Sequence, residues 1–274
     1  MSATITAADI NKLRQATGAG MMDCRKALTE SNGDFEAAID WLRKQGQKVA
    51  AKRSDREAKE GVIIANTTAD HKAGIVLCIS CETDFVSKNA EFVAFAQGIA
   101  DAAIANNVKS VEELNAVEIN GAKVADLIND KLAAIGEKIE VSKFERVEAP
   151  YVASYIHGAN RMGVLVGLTK EAEEAGKDVA MQIAAMNPLA VDESSIPAET
   201  IEREKAIAID VVKAEGKPAE MAEKIAMGKL NKFFKDNTLM AQAFVKDGNK
   251  SVGDYLKSID ADLTVTEFKR VALG

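Results

Sequence analysis

Cys78-Ile79-Ser80-Cys81 is a C-x-x-C pattern. That spacing serves redox exchange or zinc when a turn or helix start brings both sulfurs together. Here it lies inside the strand-like run AGIVLCISC, residues 73–81, and residues three apart in a strand point to opposite faces. No second pair follows, and His71 and His157 lie far off in sequence. With Cys24 the cysteine count is three, which argues against a disulfide framework and fits a reducing compartment. Structural thiols are the better reading; a thiol oxidoreductase using Cys78 and Cys81 is the enzyme rival. Residues 17–23, TGAGMMD, are glycine-rich but lack both the phosphate-loop and the dinucleotide-binding patterns, so they read as a tight turn between helices. His71 sits in a polar turn and His157 beside Gly158 at a hairpin end, where a lone histidine is a surface or contact group. The 42 acidic residues show no spacing that marks a carboxylate pair. The chemistry points to a binding protein, with no cofactor, no metal and no covalent step.

One stretch resists that plainness. Residues 81–86 read CETDFV, so an apolar strand exits through Thr83 and Asp84 and then shows Phe85 and Val86. Strands usually leave through Gly, Asn, Pro or charge. Two readings stand: Phe85 folds back into the core, as Phe commonly does, or Asp84 and Phe85 are presented to another macromolecule.

The chain has 274 residues, 47% hydrophobic and 28% charged, enough for a sizeable core and about two domains. A net charge of −7 and a pI near 5.2 argue against direct nucleic-acid binding, which needs a basic stripe. Nothing approaches the ~18 apolar residues of a membrane span, and the start lacks a signal-peptide pattern. A soluble, cytoplasmic protein is expected. The sequence leaves a homodimer open.

The elements that must carry these residues follow from periodicity. Residues 1–46 hold three short helical patterns. Ile10 and Leu13 share a face, then Met21, Cys24, Ala27 and Leu28, then Phe35, Ala38, Ile39 and Leu42, with Asp34 as N-cap and Gly46 as the stop. Residues 47–60, dense in mixed charge, read as a solvated linker or helix. From Gly61 the pattern turns to strands, GVIIANTT and AGIVLCIS around the turn ADHK. A helix capped by Asn89 follows, with Phe92, Ala96, Ile99 and Ala103 on its apolar face. Ser110 and Glu113 suggest a capping box, Gly136 ends a further helix, and KIEVSKFERVE returns to strand.

The second half repeats the first. YVASYIHG, the turn ANR and MGVLVGLT form another hairpin, and GVLVGLT (163–169) matches GIVLCIS (74–80) type for type. Both copies run on into alanine-rich helices, which predicts an α+β core of one hairpin-plus-helix unit duplicated, each sheet under its helices: residues 61–148, then 149–195 with 236–274. Where the first copy has CETDFVSKN, the second has an ordinary charged connection, KEAEEAGKD, so the unit does not need Asp84 or Phe85 to fold. Residues 196–235 read as an inserted antiparallel helical hairpin. Pro197 and Pro218 open its helices, AEGK turns between them, and Ile201, Ala208 and Val212 face Ala222, Ile225, Leu230 and Phe233. Its outer surface shows no broad apolar stripe.

Several long blocks carry a resemblance. TGAGMMDCRKALTESNGDFEAAIDWLRKQG, CETDFVSKNAEF, SYIHGANRMGVLVGL and GKPAEMAEKIAMGKLNKF stand in the order, and with the motifs, of elongation factor Ts, the guanine nucleotide exchange factors of elongation factor Tu, and they cover nearly the whole chain. The resemblance implies an N-terminal ubiquitin-associated-like module and a GTPase gripped in two places. Thr83, Asp84, Phe85 and Val86 match the loop that dislocates Mg²⁺ in the partner's nucleotide-binding domain; Arg14, Met21 and Met22 match the N-terminal contacts; His157 and Val245 match positions facing the GTPase's third domain. Longer members continue past the last strand into a C-terminal helical module, whereas this sequence stops at Gly274, so that contact is expected to be absent. A non-enzymatic adaptor using the N-terminal module is the rival binding reading.

Overall fold

Thr6 starts the first helix by a reciprocal cap. Its hydroxyl accepts the Asp9 N–H while the Asp9 carboxylate takes the Thr6 N–H, and α1 runs Ala7–Thr17. Gly18, at φ +69°, ends it with an N–H bond to the Arg14 carbonyl. The glycine-rich stretch is therefore helix punctuation. Next come α2 (Met21–Glu30) and α3 (Phe35–Arg53), the latter capped by Asp34 as expected. Leu13, Cys24, Ala27, Leu28 and Ala38 form their buried core, with Ile10, Phe35, Ile39 and Leu42 packed on it. Met21 is not part of that stripe: it is exposed. The computed structural model describes residues 4–216 and 219–274.

The first core unit comprises β1 (Glu60–Thr67), β2 (Ala73–Cys81), the one-turn α4 (Asp84–Ser87), α5 (Ala90–Ala105), α6 (Val111–Ala116), the small hairpin β3 (Glu118–Ile119) and β4 (Ala122–Lys123), α7 (Val124–Ile135) and β5 (Glu140–Glu148). The sheet is antiparallel in the order β1-β2-β5. Asn89 caps α5 through the Glu91 and Phe92 amides, and Gly136 in the left-handed region closes α7. Two expectations are corrected. The Glu113 carboxylate takes the N–H of Lys109, not Ser110, so only half of the capping box forms. Gly46 does not stop the third helix, which runs on through 47–53. It is buried where α3 crosses α7, and a Cβ there would lie 2.9 Å from the Ala133 methyl. Gly46 thus serves close helix packing, and Val49 and Ala50 beyond it join the first unit's core.

The second unit repeats the plan with β6 (Tyr151–His157), β7 (Met162–Leu168) and α8 (Glu173–Met186), then α9 (Ala198–Ala214), α10 (Ala219–Asn237), the small hairpin β8 (Ala243–Phe244) and β9 (Asp247–Ser251), α11 (Val252–Ile259) and β10 (Val265–Ala272). Its sheet order is β6-β7-β10. In the helical hairpin Ala208, Val212, Leu230 and Phe234 are buried, while Ile225 and Phe233 are half-buried. The expected helix start at Pro218, the Lys217 end of the turn and the packing of Ala222 lie outside the described residues. The outer face is less bare than expected: Ile207 and Val211, one turn apart on α9, and Met227 are exposed.

Each sheet covers one face with its own helices, through cores centred on Phe92 and Ile99 in the first unit and on Val179 and Ile183 in the second. The other faces meet. Ile63, Val76, Cys78 and Val147 interlock with Val152, Leu165 and Val271. Cys78 therefore points between the sheets and Cys81 toward the helices, as the strand argument requires. The chain is α+β, in the layer order helices, sheet, sheet, helices.

Glycines make this closeness feasible. A Cβ on Gly163 would lie 2.8 Å from methyls of both Ile63 and Val76, and one on Gly74, its counterpart in the repeat, 2.9 Å from Val152. Gly163→Ala is expected to lower stability by about 1–3 kcal/mol through overpacking. Urea melts monitored by circular dichroism check this; an unchanged midpoint would mean that the sheets can part freely. Hydrogen bonds are exchanged at the edges as well. The first hairpin's turn docks on the second sheet, with Val152 N–H to His71 O at 2.6 Å. The second hairpin's turn docks on the first, with Ile63 N–H to Asn160 O at 2.8 Å and Asn160 Nδ2 to Ile63 O at 2.9 Å. The two pairs share one spacing of 89 residues, 71 to 160 and 63 to 152.

Candidate functional site

Phe85 is 84% exposed, the most open of the large apolar side chains among the described residues. It rides on α4, immediately beyond the central strand β2, while Val86 on the same turn packs into the first core. The backbone behind Phe85 is firmly held. Thr83 donates its N–H (3.0 Å) and its hydroxyl (2.7 Å) to the two carboxylate oxygens of Glu137. Glu82 accepts the Lys138 N–H at 2.7 Å and pairs with Arg53 (2.7 Å) and Arg56 (3.2 Å). The Lys138 N–H, together with both guanidinium groups, holds the Glu82 carboxyl below the usual carboxylate range despite the opposing effect of desolvation. Asp84 pairs with Lys88 one turn on at 2.6 Å, which also lowers its carboxyl's pKa.

Phe85 rims a groove of about 670 Å³ between the N-terminal helices and the first core unit, with Gln15, Thr17, Ile39, Leu127 and Ile135 among its lining. Met21 and Met22, 53% and 73% exposed, stand at the start of α2, and Arg14 is exposed on α1. Thr83 to Val86 are thus one contiguous feature, while Arg14, Met21 and Met22 belong to the neighbouring helical module.

His157 and Val245 sit elsewhere, on the second unit. His157 is exposed at the end of β6, where its Nδ1 and the Tyr155 hydroxyl are 3.0 Å apart. Val245 occupies the two-residue turn between β8 and β9 and is 48% exposed. Its N–H is held at 2.8 Å by Gln182, a fully buried side chain on α8 whose amide also reaches Gln242 and the Ala243 carbonyl. Beside it, buried Asp178 accepts from Lys246 and from the Tyr255 hydroxyl. Burial, then that hydrogen bond to Asp178, push Tyr255 up to about 12. Sequence reasoning missed Gln182, although a glutamine within the apolar VAMQIAAM face was a readable anomaly. It also missed Glu137 and Glu82, whose partners lie far away along the chain.

The cysteines are buried, and burial with the nearby Glu137 charge raises the Cys81 thiol to about 12, so it stays protonated and donates to the Thr83 carbonyl. Among the described residues no group of three or more metal-ligating side chains converges, and no helix is long and apolar enough to cross a membrane. The site offers shape, apolar surface and charge.

The family model for elongation factor Ts matches residues 82–274. An elongation factor Ts of Christiangramia forsetii is 52% identical over 99% of this chain and 100% of its own length; one of Flavobacterium psychrophilum is 54% identical at the same coverage. A more distant one, from Clostridium perfringens, is 44% identical over 98% of this chain and 93% of its own. With the family model spanning more than half of the chain and relatives matching nearly all of it, the chain belongs to the elongation factor Ts family.

Proposed function

We propose that the chain is a guanine nucleotide exchange factor that binds elongation factor Tu and speeds GDP release, so that GTP can enter during translation elongation. The carrying observation is Phe85, a large aromatic held out in water on a turn whose backbone is fixed from behind. Mg²⁺ in the GTPase bridges protein side chains and nucleotide phosphates and demands near-ideal octahedral geometry. Thr83, Asp84, Phe85 and Val86 act there as a wedge: Phe85 enters between helices of the GTPase and shifts the elements that support the ion. Phosphate charge then lacks compensation, and GDP leaves faster. By linkage, nucleotide weakens factor binding by the ratio in which the factor weakens nucleotide binding, so incoming nucleotide expels the factor. No covalent step is involved.

In this reading the three N-terminal helices form a ubiquitin-associated-like module whose Arg14, Met21 and Met22 grip the nucleotide-binding domain. His157 and Val245, on the second core unit, grip the third domain. The division into an N-terminal module, two core units and an inserted hairpin is part of the same proposal, and the hairpin, roughly residues 196–235, is read as dispensable for exchange. The test is release of a fluorescent GDP from bacterial elongation factor Tu. Added chain should accelerate it in proportion to complex formed, and no acceleration despite binding would leave an adaptor role in its place.

A further inference from the structure

We propose that Glu137 is a positioning residue for exchange, setting the pitch of the one-turn helix that presents Phe85; this rests on the wedge reading above. Thr83 stands at the N-cap of α4, yet its hydroxyl makes no cap bond to that helix. The hydroxyl and the N–H both go to Glu137 instead, at 2.7 and 3.0 Å. Gly136, at φ +80°, ends α7 and turns the chain just before Glu137. The arrangement is reciprocal: the Glu137 carboxylate takes the Thr83 N–H, while the Glu82 carboxylate takes the Lys138 N–H. Two charge-assisted ties thus bind residues 82–83 to 137–138. Arg53 and Arg56 on Glu82 extend the tie to the end of α3, joining the last N-terminal helix to the loop.

The second core unit is an internal control. There the exit from β7 is tied to the segment after α11 by different chemistry, Lys170 Nζ lying 2.8 Å from both Asp260 oxygens, and Ala172 stands at the cap of α8 with no side-chain cap bond. The fold asks for a tie at this place but not for a carboxylate on the cap residue. That arrangement occurs in the unit that carries Phe85. A wedge whose support is already rigid loses less ordering entropy when it docks, so more of its contact energy goes into displacing the GTPase elements.

The test measures release of fluorescent GDP from elongation factor Tu against factor concentration, separating the maximal rate from the half-saturating concentration. Glu137→Ala should lower the maximal rate about tenfold, equivalent to about 1.4 kcal/mol, with half-saturation little changed, since Arg14, Met21, Met22, His157 and Val245 are untouched. Glu137→Gln, which keeps one acceptor oxygen, should fall between. Thr83→Val should slow release less, Thr83→Ser should restore it, and Glu137→Ala with Thr83→Val should be no slower than Glu137→Ala alone. Amide exchange at Thr83 should rise in Glu137→Ala. Should Glu137→Ala fail to fold, Thr83→Val decides: slowed release at unchanged half-saturation supports the role, and parental release overturns it. Parental release from both variants while Phe85→Ala is slow also overturns it. Slow Glu137→Ala beside parental Phe85→Ala would sink the aromatic wedge alone and keep the clamp.

Discussion

Replacing Phe85 by alanine is expected to leave the fold intact and slow GDP release by about tenfold, a loss of only ~1.4 kcal/mol of barrier lowering. The ring is 84% exposed, so its removal opens no cavity, and stability should shift by less than about 1 kcal/mol. Phe92, seven residues on, provides the contrast. It is 2% exposed at the centre of the first core, and Phe92→Ala should cost about 3–5 kcal/mol. Asp84→Ala should slow release by a smaller factor, since the acid pairs with Lys88 on the same turn and, in the proposed complex, would face the GTPase. Excess EDTA already removes the ion that the proposed wedge would dislodge, so the Phe85→Ala defect should shrink there. Stopped-flow release with and without Mg²⁺, beside urea melts of both alanine variants, measures all of this. A Phe85→Ala protein that melts like Phe92→Ala, or that releases GDP at the parental rate, would overturn the wedge.

Serine at both Met21 and Met22 should weaken binding to elongation factor Tu by about 100-fold, if each exposed methionine contributes the ~1–2 kcal/mol common among interface anchors. Both side chains are open to water, and neither belongs to the buried core of the N-terminal helices, so melting should not change. An unbranched thioether adapts to an irregular apolar surface at little cost. The maximal release rate at saturating factor should stay near that of the parent, because in the proposed complex these residues supply affinity and not displacement. Point substitution is the right test here. A cut after residue 46 would sever α3, which runs to Arg53 and places Val49 and Ala50 on the first core. Isothermal titration against nucleotide-free GTPase gives the affinity; an unchanged Kd would remove the N-terminal module from the interface.

Much of this fold was legible because its signals are local. Asp34, Asn89 and Gly136 mark helix ends by chemistry confined to a few residues, and the match of GIVLCIS with GVLVGLT exposed the duplication. Most of the failures share one cause, which is contact between segments distant in sequence; the half-formed cap at Ser110 and the exposed Met21 are local exceptions. Gly46 reads as a helix stop until α7 is laid across it. The fully buried run of β2 shows that both its faces are covered, but not that a second sheet covers one of them. Local pattern alone left Phe85 undecided between core and surface, because a strand exit permits both, and only the family resemblance assigned it to a partner-facing loop; Glu137 offered no sign of a partner 54 residues away.

The exchanged hairpin turns give the core the arithmetic of a symmetric dimer closed within one chain. In a two-fold assembly, residue i of one subunit meets j of the other while j meets i. His71 on Val152 and Asn160 on Ile63 obey that rule across the repeat. One edge strand of each sheet, β1 and β6, thereby has backbone groups engaged by the opposite repeat, which blunts it as a template for a foreign strand. The pseudo-symmetric frame also leaves each repeat free to carry its own addition, the Phe85 turn on one and the helical hairpin on the other. The spacing between the two expected grips is then set by the frame's own backbone bonds and not by a hinge.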